Sequence, residues 1–186
     1  ELSSGELRKV RGKFGLLFQH AALFDSMNVE QNIGFPLRER TRLNKNEIKE
    51  KVASILERLN LPGIQKKYPS ELSGGMKKRV GLARAIVLEP KFMIYDEPTT
   101  GLDPIMIRQV DDMIRDTQER FGVTSIIISH DMASTFRLSH NIAMLHDGRI
   151  RLEGPPSLFQ NSDDPEVAKF IYATQIEVGN EDEVDQ

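Results

Sequence analysis

The chain has 186 residues, no cysteine and a formal net charge of −3 at pH 7. The lack of cysteine excludes disulfides, cysteine-ligated metals and thiol nucleophiles, and the slightly acidic balance argues against a general nucleic-acid binder, which usually has a basic face. No apolar segment approaches the roughly 20 residues that a membrane-spanning helix needs.

The first part of the chain predicts two helices and one strand. Residues 1–13 have apolar side chains at helical spacing, and the apolar strand of residues 14–18 stops at Gln19. The next segment, residues 20–37, is turn-prone. An amphipathic helix follows over residues 44–61, with Asn46 expected to cap its start and Pro62-Gly63 to end it.

The second part predicts alternating helices and strands, which places the chain in the α/β class. The expected elements are a helix over 75–88, a strand over 92–95, a helix over 104–121, a strand over 125–128, a β-hairpin turning at Asp147-Gly148, and short helices over 156–160 and 165–172. Residues 177–186 form an acidic tail that is predicted to be disordered.

Each of the three strands before the hairpin is apolar along nearly its whole length and ends in a polar group. Such strands indicate a parallel sheet buried on both faces. The polar groups are Gln19, Asp96 with Glu97, and His130. In open α/β sheets ligands bind beyond the carboxyl ends of the strands, so these side chains are expected to converge at one edge.

The adjacent carboxylates of Asp96 and Glu97 are a candidate site for phosphate hydrolysis. A carboxylate at a strand end can hold Mg²⁺, which prefers oxygen ligands, and an adjacent carboxylate can polarise a water molecule aimed at a γ-phosphate. By itself the pair fits a solvated acidic turn before Pro98 equally well.

Gln19 and His130 are weaker signals when each is taken alone. The amide of Gln19 can reach water or Mg²⁺, and the imidazole of His130 can donate to a γ-phosphate. As an isolated residue, His130 is better explained as a cap of the turn that follows it.

The segment "ELSGGMKKRVGLARAI", residues 71–86, predicts a phosphate-binding turn. Ser73 can cap a helix while Gly74 and Gly75 let an anion approach the backbone N–H groups at the positive end of the helix dipole. Lysines and an arginine at residues 77–79 follow, where the dipole alone favours acidic side chains. The alternative is an ordinary Ser-Gly-Gly loop before a capped helix.

Taken together and in this order, the motifs resemble those of the ATP-binding-cassette (ABC) ATPases. "LSGGM" at 72–76 resembles the signature motif, "FMIYDE" at 92–97 the Walker B strand with its catalytic glutamate, and "GLD" at 101–103 the D-loop. Gln19 matches the Q-loop and His130 the H-switch. The resemblance covers residues 1–172 and implies a RecA-like P-loop NTPase core, a mostly parallel sheet flanked by helices, with an inserted α-helical subdomain.

The resemblance implies a role for each site residue. In this family two subunits pack head to tail, and each ATP lies between the phosphate loop of one subunit and the signature of the other. Glu97, His130 and Gln19 would be catalytic, with Asp96 and Gln19 at Mg²⁺. The remaining residues would bind the nucleotide across the dimer or link the two sites: Ser73, Gly74, Gly75 and Asp103.

The chain departs from the family in lacking a phosphate loop. Gly12-Lys13 is its only Gly-Lys pair, and Phe14 follows in place of Ser or Thr. In the family this loop lies upstream of the Q-loop strand. We therefore expect several tens of upstream residues to be missing here, and the polypeptide as given to be inactive alone.

The resemblance also divides the chain. Residues 1–22 and 89–174 would belong to the ATPase core, residues 23–88 would form the helical signature subdomain, and residues 175–186 the tail. A finer similarity, carried by "LFQHAALFDSMNVEQNIGFPLRE", by Met76 and by "DPEVAKFI", is to the Mla-type ATPases, which power phospholipid traffic in Gram-negative bacteria.

The Mla-type pattern implies partners and a location. The partners would be a second ATPase subunit, an inner-membrane permease, a lipid-binding carrier and a small STAS-like protein, with no nucleic acid. The protein would lie in the cytoplasm, peripherally on the inner face of the bacterial inner membrane. The apolar residues 21–24 would face the permease or, equally well, belong to the local core.

Two other functions remain possible from the sequence. One is a non-transport ABC protein of DNA repair or chromosome organisation, against which the lack of cysteine and of coiled-coil heptads argues. The other is a non-catalytic scaffold that uses the fold for binding only.

Overall fold

A computed structural model describes the backbone of residues 2–179 and the side chains of residues 2–172. The chain divides into two compact units, Glu1–Ile128 and Ser129–Gln186. The first unit contains α1 (Ser4–Arg11), β1 (Phe14–Leu17), α2 (Val29–Arg40), α3 (Lys45–Arg58), a 3₁₀ turn (Pro69–Glu71), α4 (Gly74–Ile86), β2 (Phe92–Asp96), α5 (Pro104–Phe121) and β3 (Thr124–Ile128). The second contains α6 (Met132–Leu138), β4 (Ile142–His146), β5 (Arg149–Gly154), α7 (Pro156–Gln160) and α8 (Pro165–Gly179).

The first unit is built on a three-stranded parallel sheet in the order β1-β2-β3. Leu17 of β1 pairs with Tyr95 of β2, and Asp96 of β2 pairs with Ile128 of β3. Helix α4 packs against β1 and helix α5 against β3. The predicted parallel arrangement of the three strands is therefore confirmed.

The prediction that both faces of this sheet are buried is wrong. One face of the sheet carries the buried side chains of Leu17, Met93 and Tyr95. On the opposite face, Leu16, Ile126 and Ile128 keep 41%, 45% and 51% of their surface exposed. Successive side chains of a strand point to opposite faces, so an apolar strand cannot reveal from its sequence which face is covered.

The segment predicted to be turn-prone contains most of helix α2. Asn28 caps the helix and accepts a hydrogen bond from the backbone N–H of Gln31, while the side chain of Gln31 accepts one from the N–H of Asn28. This reciprocal capping box starts a helix that tolerates Gly34 and Pro36 in its interior. Gly34 fits because its bare Cα lies close to Ile48 of α3.

The N-cap of helix α3 lies two residues earlier than predicted. The side chain of Asn44, and not that of Asn46, accepts from the backbone N–H groups of Asn46 and Glu47, and Glu47 reciprocates. The helix ends at Arg58, ahead of Pro62. Its apolar stripe is buried as expected: Ile48, Val52, Ile55 and Leu56.

The second unit contains the predicted hairpin. Strands β4 and β5 are antiparallel, and both Asp147 and Gly148 have positive φ at the turn, as a tight hairpin requires. A small core of Ile142, Phe159 and Val167 holds the hairpin to its helices. Helix α8 continues past its predicted end to Gly179, while residues 180–186 of the predicted tail lie outside the described residues. None of the described helices is long and apolar enough to cross a bilayer.

Candidate functional site

Two of the three predicted polar strand ends lie at the same edge of the sheet. Gln19 comes two residues after Leu17, Glu97 comes two residues after Tyr95, and Leu17 and Tyr95 are partners in the parallel ladder. The backbone N–H of Glu97 donates to the carbonyl of Ile128, the last residue of β3, at 2.9 Å. The amide and the carboxylates therefore follow the carboxyl ends of adjacent strands, as the sequence predicts.

His130 follows β3 along the chain and belongs to the second unit. The cap of the next helix is supplied by its neighbour Asp131, whose side chain accepts from the N–H of Ser134 at 3.0 Å. The N-cap of this helix is therefore Asp131. The role of His130 at the nucleotide stays a prediction.

Glu97 sits in a backbone conformation that is uncommon for its residue type. Its φ of +49° lies in the left-handed region, which costs a non-glycine residue about 1 kcal/mol or more unless the surroundings hold it there. The hydroxyl of Thr100 donates to Oε2 of Glu97 at 2.7 Å, and the backbone bond to Ile128 fixes the other end of the residue. Strain held in place in this way is typical of functional positions.

Asp96 has the chemistry of a single Mg²⁺ ligand. In the described part of the chain, no three His, Asp or Glu side chains converge as an all-protein metal site does. Mg²⁺ rarely uses such a cage, because it keeps several water molecules and takes its other oxygens from a nucleotide. The half-buried Asp96 carboxylate with the amide oxygen of Gln19 is a donor set that fits this ion.

The Ser-Gly-Gly turn forms the start of α4, as predicted. Ser73 is the N-cap and its hydroxyl oxygen accepts from the N–H of Met76 at 3.3 Å. Apart from the chain neighbours and the helix's own backbone, no atom of the described residues lies within 4 Å of the position that a Cβ on Gly74 would occupy, and at Gly75 the nearest is Cε of Met106 on α5, at 3.8 Å. Since the first turn carries no acidic residue, an anion can approach this helix end without repulsion.

Asp103 has a structural task in addition to its predicted one. It is the N-cap of α5, and its Oδ1 accepts from the N–H groups of Ile105 and Met106 at 3.0 Å and 2.9 Å. Because Met106 is also the neighbour of Gly75, the start of α5 lies beside the Ser-Gly-Gly turn. This contact is compatible with communication between sites, which stays a prediction.

Two site contacts were not anticipated from the sequence. Thr100 holds Glu97, and the ammonium of Lys78 on α4 donates to the carbonyl of Pro98, directly after Glu97. Burial lowers the pKa of Lys78. Thr100 lies three residues after Glu97, a spacing at which side chains can meet across a turn, so this contact could have been predicted from the sequence. Nothing in the sequence distinguishes Lys78 from the basic residues beside it.

Residues 21–24 divide between core and surface. Ala21 is buried, while Phe24 keeps 42% of its surface exposed and lies 5.2 Å, centroid to centroid, from Phe35. The guanidinium of Arg84 donates to the carbonyls of Ala21 and Ala22 and lies over the ring of Phe24. The first residue thus belongs to the local core, and an aromatic surface remains that a partner can contact.

Asn32 holds the loop that follows Gln19. Its fully buried side-chain amide accepts from the N–H of Phe24 at 2.8 Å and donates to the carbonyls of Phe24 and Met27 at 3.1 Å and 2.9 Å. Replacing it takes the Asn32 partner from the part-buried N–H of Phe24 and carbonyl of Met27, while the carbonyl of Phe24 keeps the N–H of Met27 as a donor.

We therefore expect Asn32→Ala to destabilise the full-length protein by about 2–3 kcal/mol, because each buried polar group that loses its partner costs roughly 1–3 kcal/mol. Thermal unfolding of the variant measures this. Asn46→Ala, at an exposed position of α3, is the matched control. Equal melting temperatures for the two variants would contradict the role of Asn32.

A sequence profile of the ABC transporter family matches residues 1–100. Among curated proteins, the chain is 39% identical over its whole length to the "Probable ribonucleotide transport ATP-binding protein mkl" of Mycobacterium leprae, of which it covers 54%. It is 39% identical over 91% of its length to the "Intermembrane phospholipid transport system ATP-binding protein MlaF" of Haemophilus influenzae, of which it covers 64%. The chain thus spans between about half and two thirds of the length of these relatives.

Two solved structures have a similar fold. One is cbiO1 from Clostridium perfringens, part of the ABC transporter complex cbiONQ, with a TM-score of 0.78, 31% identity, and coverage of 97% of this chain and 71% of that one. The other is a dimeric ATP-binding cassette bound to ADP and Pi in a post-hydrolysis state, with a TM-score of 0.69, 28% identity, and coverage of 84% and 68%. The α/β fold inferred from the sequence is confirmed.

Proposed function

The chain belongs to the ABC transporter family, and from this premise we propose that it is the larger part of an ATP-hydrolysing subunit that powers phospholipid transport through a membrane permease. The observation that carries the proposal is the pairing of two features in one unit. An open anion-binding turn lies at Ser73–Gly75, and a strained, anchored Glu97 follows Asp96 at the carboxyl edge of the sheet.

Each site residue has a distinct task in this proposal. Glu97 polarises the water that attacks the γ-phosphate, a kind of help worth roughly 10²- to 10⁴-fold in rate. Asp96 and Gln19 hold Mg²⁺, which when bound neutralises charge on the phosphates. His130 contacts the γ-phosphate and senses its loss.

We further propose that the Ser-Gly-Gly turn acts on ATP held by a second copy of the protein. The turn is open to solvent and is on a different element from the carboxylates, so one subunit presents two separate phosphate-binding surfaces. Head-to-tail pairing places Ser73, Gly74 and Gly75 against the ATP of the partner subunit, and Asp103 then links the two sites. The dimeric state of the solved ADP-bound relative supports this arrangement.

In this proposal the phosphate loop belongs to a part of the ATPase subunit that this chain does not contain. Gly12-Lys13 is followed by Phe14 and does not supply such a loop. The uncovered apolar face of the sheet supports the assignment, because further chain would have apolar surface to bury there. On this basis the polypeptide as given hydrolyses little ATP, and residues 23–88, which contain α2, α3 and α4, act as the helical subdomain of a larger ATPase core.

The names of the relatives point to two different cargoes, ribonucleotides and phospholipids. We favour phospholipid because the Mla-type similarity includes the loop after Gln19, where the exposed ring of Phe24 offers the permease an apolar contact. The partners are then the permease, a lipid-binding carrier and a small STAS-like protein, at the cytoplasmic face of a bacterial inner membrane. The comparisons lend no support to a scaffold or a DNA-repair protein.

The proposal is tested by purifying the tagged full-length protein from detergent-solubilised membranes. We expect a multispan membrane protein and bound phospholipid to co-purify, and ATP hydrolysis by the complex to rise when phospholipid vesicles are added. The same purification with Phe24→Asp should lose the membrane protein but keep the ATPase fold. A complex that carries no phospholipid and whose ATP hydrolysis does not respond to phospholipid vesicles would overturn the cargo, and recovery of a nucleic-acid complex would overturn the function.

A further inference from the structure

Helix α4 physically connects the anion-binding turn to the loop that carries Glu97. Ser73 caps the helix, and Lys78 lies five residues further along it, about 7.5 Å at 1.5 Å per residue. The ammonium of Lys78 donates to the carbonyl of Pro98, which follows Glu97 in the chain. Helix α4 therefore contacts both proposed phosphate-binding regions, the Ser-Gly-Gly turn at its start and the loop that carries Glu97.

Three hydrogen bonds of the described residues help to hold the loop that carries Glu97. The N–H of Glu97 donates to Ile128, the side chain of Thr100 donates to the Glu97 carboxylate, and Lys78 donates to the peptide carbonyl of buried Pro98. The first two anchors come from the sheet and from the loop itself. The third comes from the helix that begins at the Ser-Gly-Gly turn.

A lysine makes this contact at a cost in hydration free energy. An ammonium loses hydration when it is buried, and a neutral carbonyl compensates for that loss less well than a carboxylate does. Lys78 is half-buried, and this partial burial lowers its pKa. A residue that served only to fill space between α4 and the loop would not need a charge.

We propose that Lys78 is a positioning residue, which holds the peptide after Glu97 and thereby orients the Glu97 carboxylate toward the ATP of its own subunit, while the same helix binds the partner's phosphate at its start. This inference rests on the proposed role of Glu97 in ATP hydrolysis. Lys78 touches neither the water nor the nucleotide; it acts through Pro98. Movement of α4 on closure with a partner's ATP is transmitted to the loop by this hydrogen bond.

The first test is steady-state ATP hydrolysis by the full-length protein carrying Lys78→Met, which keeps the apolar stem and removes the donor. We expect kcat to fall roughly tenfold, since small displacements of a positioned catalytic group cost up to about 10²-fold, with KM for ATP changed less than about twofold. Lys78→Arg, which keeps a cationic donor, should recover most of the loss. Lys49→Met, at an exposed lysine of α3, is the matched control and should match the wild-type protein.

The second test separates a positioning role from a structural one. In single-turnover measurements, adding Lys78→Met to a Glu97→Gln protein should cause no further loss, because a residue that acts through Glu97 has nothing left to orient. A further tenfold loss in that background would overturn the inference, as would wild-type kcat in Lys78→Met.

The outcome for Glu97→Gln alone tells the two proposals apart. Wild-type turnover in that variant would overturn the assignment of Glu97 and, with it, the role given to Lys78. Loss of turnover in Glu97→Gln together with wild-type kcat in Lys78→Met would overturn the role of Lys78 and leave the proposed function standing.

Discussion

Glu97→Gln in the full-length protein is expected to lower ATP turnover by about 10²- to 10⁴-fold, the usual worth of a positioned general base. Glutamine has nearly the same shape as glutamate, and its amide oxygen can still accept the hydrogen bond from Thr100, so the anchored turn should persist. What is lost is the negative charge that polarises water. The measurement is phosphate release under saturating ATP, with nucleotide binding followed separately.

Binding and hydrolysis should separate in this variant. We expect ATP affinity to be retained, because the phosphate loop and not Glu97 carries most of the binding in this proposal. Glu89→Gln, at an exposed position after α4, is a control of the same charge change and should hydrolyse ATP normally. Undiminished phosphate release from the Glu97→Gln protein would remove the central residue of the proposed mechanism.

Ser73→Arg is expected to abolish ATP-dependent dimer formation and, with it, steady-state hydrolysis. The turn is open at Gly74 and nearly so at Gly75, so a small anion has room to approach. An arginine at the cap removes the hydroxyl that accepts from Met76 and places a long side chain where the partner's phosphate would enter. Loss of an N-cap costs only about 0.5–2 kcal/mol, so the fold should survive.

The measurement is molar mass in solution with and without ATP, made on the hydrolysis-deficient Glu97→Gln form so that ATP is not consumed. The Glu97→Gln protein should dimerise when ATP is added, and the double variant should stay monomeric while still binding ATP. Ser70→Arg, at an exposed position of the 3₁₀ turn three residues earlier, introduces the same side chain outside the cap, and this protein should dimerise. ATP-driven dimers of the Ser73→Arg protein would show that the turn does not act across an interface.

Both expectations extend to the inference about Lys78. If α4 transmits the presence of the partner's phosphate to the loop after Glu97, the Lys78→Met dimer should hydrolyse ATP more slowly in single turnover than the wild-type dimer, although both still need to dimerise. The wild-type rate should rise with protein concentration, whereas the variant's rate should rise much less. This dependence is a property that a purely structural lysine would not control.

Local sequence determined the elements that carry the site and their order along the chain. The apolar strands, the polar residues after them and the Ser-Gly-Gly turn before α4 are encoded by neighbouring residues, because strand ends, caps and phosphate turns depend on backbone chemistry within a few positions. Five short motifs in a fixed order were enough to identify the family. Two local predictions were wrong: the segment of α2 was predicted to be turn-prone, and Asn46 was predicted to cap α3. Asn28 and Asn44 start these helices through capping boxes.

Tertiary structure alone decided which surfaces are covered and how the base is held. Strand β3 ends in three consecutive isoleucines, which show no alternation between polar and apolar side chains. Only packing therefore reveals that Ile126 and Ile128 are exposed while Met93 and Tyr95 of the neighbouring strand are buried. The bond from Lys78 to Pro98 joins residues 20 positions apart, and the positive φ of Glu97 is maintained by such contacts. Contacts between distant residues depend on how the elements pack, and a single sequence read position by position does not contain that information.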